Sequence, residues 1–275
     1  LDFDRKKKTS ATVEASRNFG NKLWNATRFA LMNLGNVSFK DCLDIDSAEL
    51  QLADQWILSR LTRINKDTQL KYNQYGLGEA AKSLYEFAWN DFCDWYLELI
   101  KRRLNLGEKA GENDLKDQEI ARKVLLKVLT SLLTMLHPLM PHLTEELWHA
   151  LTGYEENIFL SLQKWPERND HYFNAELEDS FSELFNSIRL VRNLRAIAGL
   201  KPSQKVPVCF VTSNKKLAHT LQVAYKDIQA LTRASKLDIY DSNNDSRKST
   251  VKVLAGVVGE LEVLLPIEGL VDLQE

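Results

Sequence analysis

The residues best suited to chemistry lie in the stretch Arg17 to Phe29, RNFGNKLWNATRF. Phe19, Leu23, Ala26, Ala30 and Leu34 recur there at helical spacing and form one apolar stripe. Phe29 falls roughly 80° off that stripe, beside Asn18, Lys22 and Asn25. A ring among amides and a cation is the chemistry that stacks an unpaired base and holds its phosphate, so the segment points to single-stranded RNA. Arg28 adds a further cation to this neighbourhood. A second candidate is Leu97, on a helix whose buried side is defined by Leu84, Ala88, Phe92, Trp95 and Leu99. Leu97 lies well off that side near Asn90 and Lys101, where an apolar chain beside a cation can cap a base. Lys22, Asn25 and Lys101 would supply phosphate and base-edge contacts. The alternative for Phe29 and Leu97 is packing against another helix of the bundle or against the helix expected from Ala175.

Composition narrows the function classes. The chain has 275 residues, 44% hydrophobic and 27% charged, which reads as soluble and globular, with one large domain or two modest ones. No apolar run is long enough to span a membrane and no signal-peptide pattern is visible. Cys42, Cys93 and Cys209 are widely spaced and odd in number, implying neither a disulfide framework nor a thiolate metal site, and a reducing cytosol is the expected setting. The formal net charge is −2, so RNA contact must use local patches. Candidate patches are Arg5 to Lys8, Lys101 to Arg103, and Arg189, Arg192 and Arg195 at three-residue spacing, a trio that could track a backbone. Each could equally be a solvated helix face. His137, His142 and His149 do not share a helical face and lack a completing ligand set, so core or surface histidines are expected. Glu145 and Glu146 are adjacent, diverge on a helix, and more simply favour its start. Trp89, Trp95 and Trp148 read as core.

The elements that must position these residues are mainly helices. Expected helices run from about Thr12 to Leu34, Ala48 to Tyr75, Glu79 to Leu104, and from near Asp117 through the apolar run Val124 to Leu136. Gly107 to Asp114 reads as an exposed loop, Pro138 and Pro141 as interruptions, and Thr144 as the opening of a short helix. Short connections make this an antiparallel bundle. Trp165 to Asp170 is the expected domain boundary, dividing a bundle over 1–166 from a small α+β unit over 167–275. In that unit a helix from Ala175 to Ala198 is expected to pack on the bundle. It precedes a strand at Val206 to Thr212, a helix at Lys215 to Ala234, and strands at Leu237 to Tyr240, Thr250 to Ala255 and Glu260 to Leu265, in a mostly antiparallel sheet.

RNFGNKLWNATRF followed by ALMNL resembles the helix that opens the anticodon-binding bundle of class I aminoacyl-tRNA synthetases, and most closely the valyl-tRNA synthetase family. EAAKSLYEFAWNDFCDWYLELIK from Glu79, LHPLMPHLTEELW from Leu136, SIRLVRNLRAIAGLKPSQKVPV from Ser187 and the closing LPIEGLVDL agree in order and spacing. The resemblance implies that the anticodon of a valine tRNA lies against the first and third helices, which pairs Phe29 with Leu97. It also implies a cytoplasmic, monomeric ATP-dependent ligase whose ATP and Mg sites lie elsewhere. The HIGH-type and KMSKS-type signatures of that family's catalytic core do not occur here, and Lys6 Lys7 Lys8 Thr9 Ser10 is not the second of them. The start at Leu1 suggests a piece cut after a catalytic domain, non-catalytic by itself and with no cofactor of its own. The end at Glu275, before the family's basic coiled-coil arm, suggests weak tRNA binding. The competing reading is a protein-interaction scaffold with the same fold that has lost tRNA binding.

Overall fold

The computed structural model describes residues 3–4, 9–42, 45–107, 110–153, 158–201, 203–241 and 253–266. The basic run Arg5 to Lys8, the residues 250–252 expected to open a strand, and the end of LPIEGLVDL lie outside these. None of the helices described is long and apolar enough to cross a membrane. The chain divides into two compact units, Leu1–Asn174 and Ala175–Glu275.

The first unit is the helical bundle. A minimal antiparallel pair, β1 (Phe3–Asp4) and β2 (Thr9–Ser10), leads into α1 (Ala11–Asn33). Next come α2 (Leu52–Asn73), α3 (Leu77–Glu86), a π-helical segment (Phe87–Tyr96), α4 (Leu97–Leu104), α5 (Glu112–Leu136) and α6 (Pro141–Thr152). The long third helix expected from the sequence is therefore α3, the π segment and α4 in succession. α5 begins earlier than expected, because the Asp114 carboxylate accepts the Gly111 N–H at 2.9 Å and closes the first turn. Pro141 starts α6 rather than interrupting a helix: at the first helical position a missing N–H costs nothing and the fixed φ is already helical. α5 forms the spine of the core, with Val124, Leu125, Leu126, Leu129, Leu132 and Leu133 all buried.

Polar groups set the register around that spine. Asp54 is 0% exposed. Its carboxylate accepts the Gln51 N–H at 3.2 Å, the Tyr96 hydroxyl at 2.9 Å, and an ion pair from Arg103 Nη1 at 2.8 Å. Arg103 continues to Asp117 through Nη2 at 2.8 Å and Nε at 2.9 Å, tying α2, the π segment, α4 and α5 together. Burial pushes the Asp54 carboxyl up from its ordinary value, opposed by Arg103, the Tyr96 hydroxyl and the Gln51 N–H. Burial and the Asp54 charge push Tyr96 well above its usual range, so it remains a phenol that donates.

A second polar seam explains where the bundle ends. Asn65 Nδ2 donates to the Pro166 carbonyl at 2.8 Å and Asn65 Oδ1 accepts from Trp165 Nε1 at 2.5 Å. Thr62 donates to the Asn169 carbonyl at 3.3 Å, and Ser59 Oγ accepts the Asn174 N–H at 2.9 Å. One flank of α2 thus holds the polar segment from Trp165 onward as a strap of the first unit, up to Asn174.

The second unit is a four-stranded sheet with helices. It comprises α7 (Ala175–Ile197), β3 (Val206–Thr212), α8 (Lys215–Val223), α9 (Tyr225–Thr232), β4 (Ala234–Asp241), β5 (Val253–Val258) and β6 (Leu261–Pro266). The strand order is β4-β3-β6-β5, with β3 and β4 parallel and the other pairs antiparallel. The parallel pair needs a crossover, which α8 and α9 provide in place of the single helix expected. Arg233 takes a left-handed φ of 53° and turns the chain into β4. β5 alternates between exposed and half-buried positions and β6 between buried and half-buried ones, the pattern of a sheet covered on one face.

Replacing Asp54 by Ala should strip Arg103 of one partner and leave the Tyr96 hydroxyl buried and unpaired, costing about 3–5 kcal/mol. Urea denaturation should show the loss. A cost within error of an exposed control such as Asp170→Ala would mean that the network does not organise the bundle.

Candidate nucleic-acid interface

α1 presents its flank in a fixed orientation. Phe19, Leu23, Ala26, Ala30 and Leu34 are all buried, so the stripe read from the sequence is the inward face. The C-terminal end is held by α5: Arg122 Nε donates to the Asn33 carbonyl at 2.7 Å, placing a cation where the helix dipole is negative. Gly35 has a φ of +58°, and a Cβ there would stand 2.9 Å from Arg122 Nη1. On the flank, Asn18, Asn25 and Arg28 are exposed while Lys22 and Phe29 are half-buried.

Lys22 faces the π segment. Its Nζ lies 2.6 Å from Asp94 Oδ1 and 4.7 Å from the centre of the Trp89 ring. Trp89 stacks on Tyr85 at 5.6 Å and 23°, and Tyr85 meets Phe19 at 5.0 Å. Trp89 is half-buried rather than core: it roofs the seam between α1 and the π segment while Trp95 and Trp148 are buried. An exposed ion pair of this kind contributes little to stability, so a competing anion can displace Asp94 at small cost. Beneath lies Cys93, whose thiol is pushed up to about 12 by burial, with Lys22 pulling it down and Asp94 raising it.

Leu97 is not on the surface. It is 7% exposed, although the buried side assigned from Leu84 to Leu99 is correct at every residue named for it. The wider turn of the π segment, with its i to i+5 hydrogen bonds, makes the faces of the helix lag behind a regular count, so Leu97 rotates inward beside Tyr96. It therefore offers no cap for a base beside Phe29. Lys101 is exposed and pairs with Glu98 one turn back.

The proposed basic patches divide. In the Lys101 to Arg103 run, Arg103 points into the Asp54 network. In the trio on α7, Arg189 and Arg192 are exposed but Arg195 is buried. Arg195 Nη2 donates to the Gln204 carbonyl at 2.6 Å, bracing the turn that follows Gly199. Arg192 reaches the Leu231 carbonyl at 3.3 Å within its own unit. The trio is thus not a continuous cationic track, because helical spacing alone does not say which long side chains turn inward.

Among the described residues no group of three or more His, Cys, Asp or Glu could hold a metal. Glu145 does not serve the start of α6. It accepts the Leu160 and Ser161 N–H groups at 2.7 and 3.2 Å, capping a short turn between His149 and His137 at 3.3 and 3.9 Å. Trp24, Leu31 and Met32, which the sequence patterns above do not single out, are exposed on the outward side of α1. Their distance from the stripe on a helical wheel was the available signal.

Residues 54–210 match the family described as the anticodon-binding domain of tRNA ligase. Over 99% of the chain, 62% of residues are identical to the valine–tRNA ligase of Prochlorococcus marinus (strain NATL2A), and 61% to that of Parasynechococcus marenigrum (strain WH8102). The valine–tRNA ligase of Synechocystis sp. (strain PCC 6803) is 44% identical over 99% of the chain. The chain spans 29–30% of the length of these relatives.

The different burial of the two apolar residues first paired has a measurable consequence. Leu97→Ala should cost about 2–5 kcal/mol, as deletion of a buried leucine does, and Phe29→Ala distinctly less because its ring is only half-buried. Equal costs in urea denaturation would show that the rotation of Leu97 by the π segment is wrong.

Proposed function

We propose that this chain, which belongs to the family of anticodon-binding domains of tRNA ligases, is the anticodon-recognising part of a valine–tRNA ligase. It would hold the anticodon stem-loop of a valine tRNA while a catalytic part, carrying the sites for ATP, Mg and valine, charges the far end. A monomeric protein of the cytosol fits this reading.

The observation that carries it is the match to the anticodon-binding family over residues 54–210, supported by valine–tRNA ligase relatives across almost the whole chain. The chemistry of the α1 flank supports placing the RNA there. Phe29, half-buried, would supply the ring for stacking, Asn25 an amide for a base edge, and Arg28 a charge for a phosphate. Lys22 joins them when an incoming phosphate replaces Asp94. Lys101 is a further phosphate contact on α4. Arg192 is exposed on α7 of the second unit, where it would be a further phosphate contact.

With a net charge of −2 and so few cations at the site, binding should be weakly salt-dependent for an RNA complex. Three phosphate contacts give a log–log slope of about −2. The chain should bind a valine tRNA transcript better than one with an altered anticodon, and Phe29→Ala should remove most of that preference. Equal binding to both transcripts, or none at low salt, would overturn the function and leave the scaffold reading.

A further inference from the structure

We propose that Trp24 is a second RNA-stacking platform on α1, taking a nucleotide different from the one at Phe29, with Arg28 holding a phosphate between the two. This rests on the RNA-binding reading above. Trp24 is 48% exposed, whereas Trp56, Trp95 and Trp148 are buried. A large indole left in solvent in the middle of a well-packed helix is a surface feature rather than a packing one.

Its surroundings select the partner. Arg17 and Arg28 stand seven residues before and four after it, on nearly the same face, and both are exposed. Asn21 and Asn25 lie between them and are exposed as well. Glu14, at the start of the helix, is the one acidic residue in the sequence of α1. Among the described residues no carboxylate pairs with Arg17 or Arg28. An aromatic face, two unpaired guanidinium groups and amides complement a nucleotide: a base for the ring, phosphates for the cations, base edges for the amides.

Helix geometry separates this platform from the other. At about 100° per residue, Trp24 and Phe29 point about 140° apart and are displaced by about 7.5 Å along the axis. One base cannot reach both rings. Arg28 lies about 40° from Trp24 and about 100° from Phe29, between them on the wheel. A single strand passing over that edge of α1 would present successive bases to the two rings and a phosphate to Arg28. Because stacking tolerates any base, the Trp24 platform should add affinity without adding choice of sequence.

The test measures binding of the full chain to a valine tRNA transcript and to its anticodon-altered counterpart for Trp24→Ala, Trp24→Phe, Trp24→Leu and Phe29→Ala. Trp24→Ala should bind both transcripts roughly tenfold more weakly, a factor within the range for one stacked base. Phe29→Ala should instead lose the preference between them. Trp24→Phe should retain most of the affinity and Trp24→Leu should not, because leucine keeps apolar bulk but cannot stack. Melting temperatures should be unchanged for all three Trp24 variants. If the unmutated chain binds neither transcript, the function itself fails and this inference with it. If it binds and Trp24→Ala binds equally well, or Trp24→Leu retains affinity as Trp24→Phe does, the inference alone is overturned. The apolar residues Trp24, Leu31 and Met32 would then be assigned to contact with protein.

Discussion

A carboxylate without access to water has to be answered by its neighbours, and Asp54 is answered from two other elements at once. The Tyr96 hydroxyl comes from the π segment and the Arg103 guanidinium from α4, and Arg103 carries the charge on to Asp117 of α5. Hydrophobic packing on α5 is non-directional and would tolerate several rotations of the helices that lean on it. Hydrogen bonds to a buried anion do not, since each rotation would strand a polar group in a dry interior. The network therefore selects one arrangement among those the apolar core allows. The face that α4 shows to solvent follows from that choice, including the outward position of Lys101.

The π segment is the other constraint, and it marks the limit of what the sequence reveals. Regular helices were legible because their apolar spacing repeats without interruption: the inward stripe of α1 is correct at each residue, and α7 is correct to within a residue of its end. The strands of the second unit were found for the same reason. Leu97 is misplaced by a regular count because a π turn carries no marker in composition, yet it changes the direction of the side chain that directly follows it. Residue type alone points Trp89 to the core, although it rests on Tyr85 and is only half-buried. Arg103 and Arg195 were read as surface charge because a spacing argument sees position and not the partner, and their partners are remote in sequence or are backbone carbonyls.

Local charge on α1 reconciles an acidic chain with the RNA ligand proposed for it. The helix is rich in amides and carries its cations unevenly: Lys22 is neutralised by Asp94, and Arg17 and Arg28 have no carboxylate partner among the described residues. A surface of that kind attracts RNA weakly at a distance and depends on close fit, which suits recognition of a particular loop better than capture of any nucleic acid. Arg122, gripping the end of α1 from α5, keeps the helix from fraying where that fit would be lost.

The position of Cys93 turns the interface into its own recorder. Its sulfur is buried under Lys22 and Asp94, with the thiol held near 12, so in the closed bundle almost none of it is the reactive thiolate. Alkylation is then limited by local opening of the bundle around Cys93. The rate at which a thiol reagent consumes Cys93 is a clock for that opening, and RNA laid across the seam would slow it without touching the sulfur.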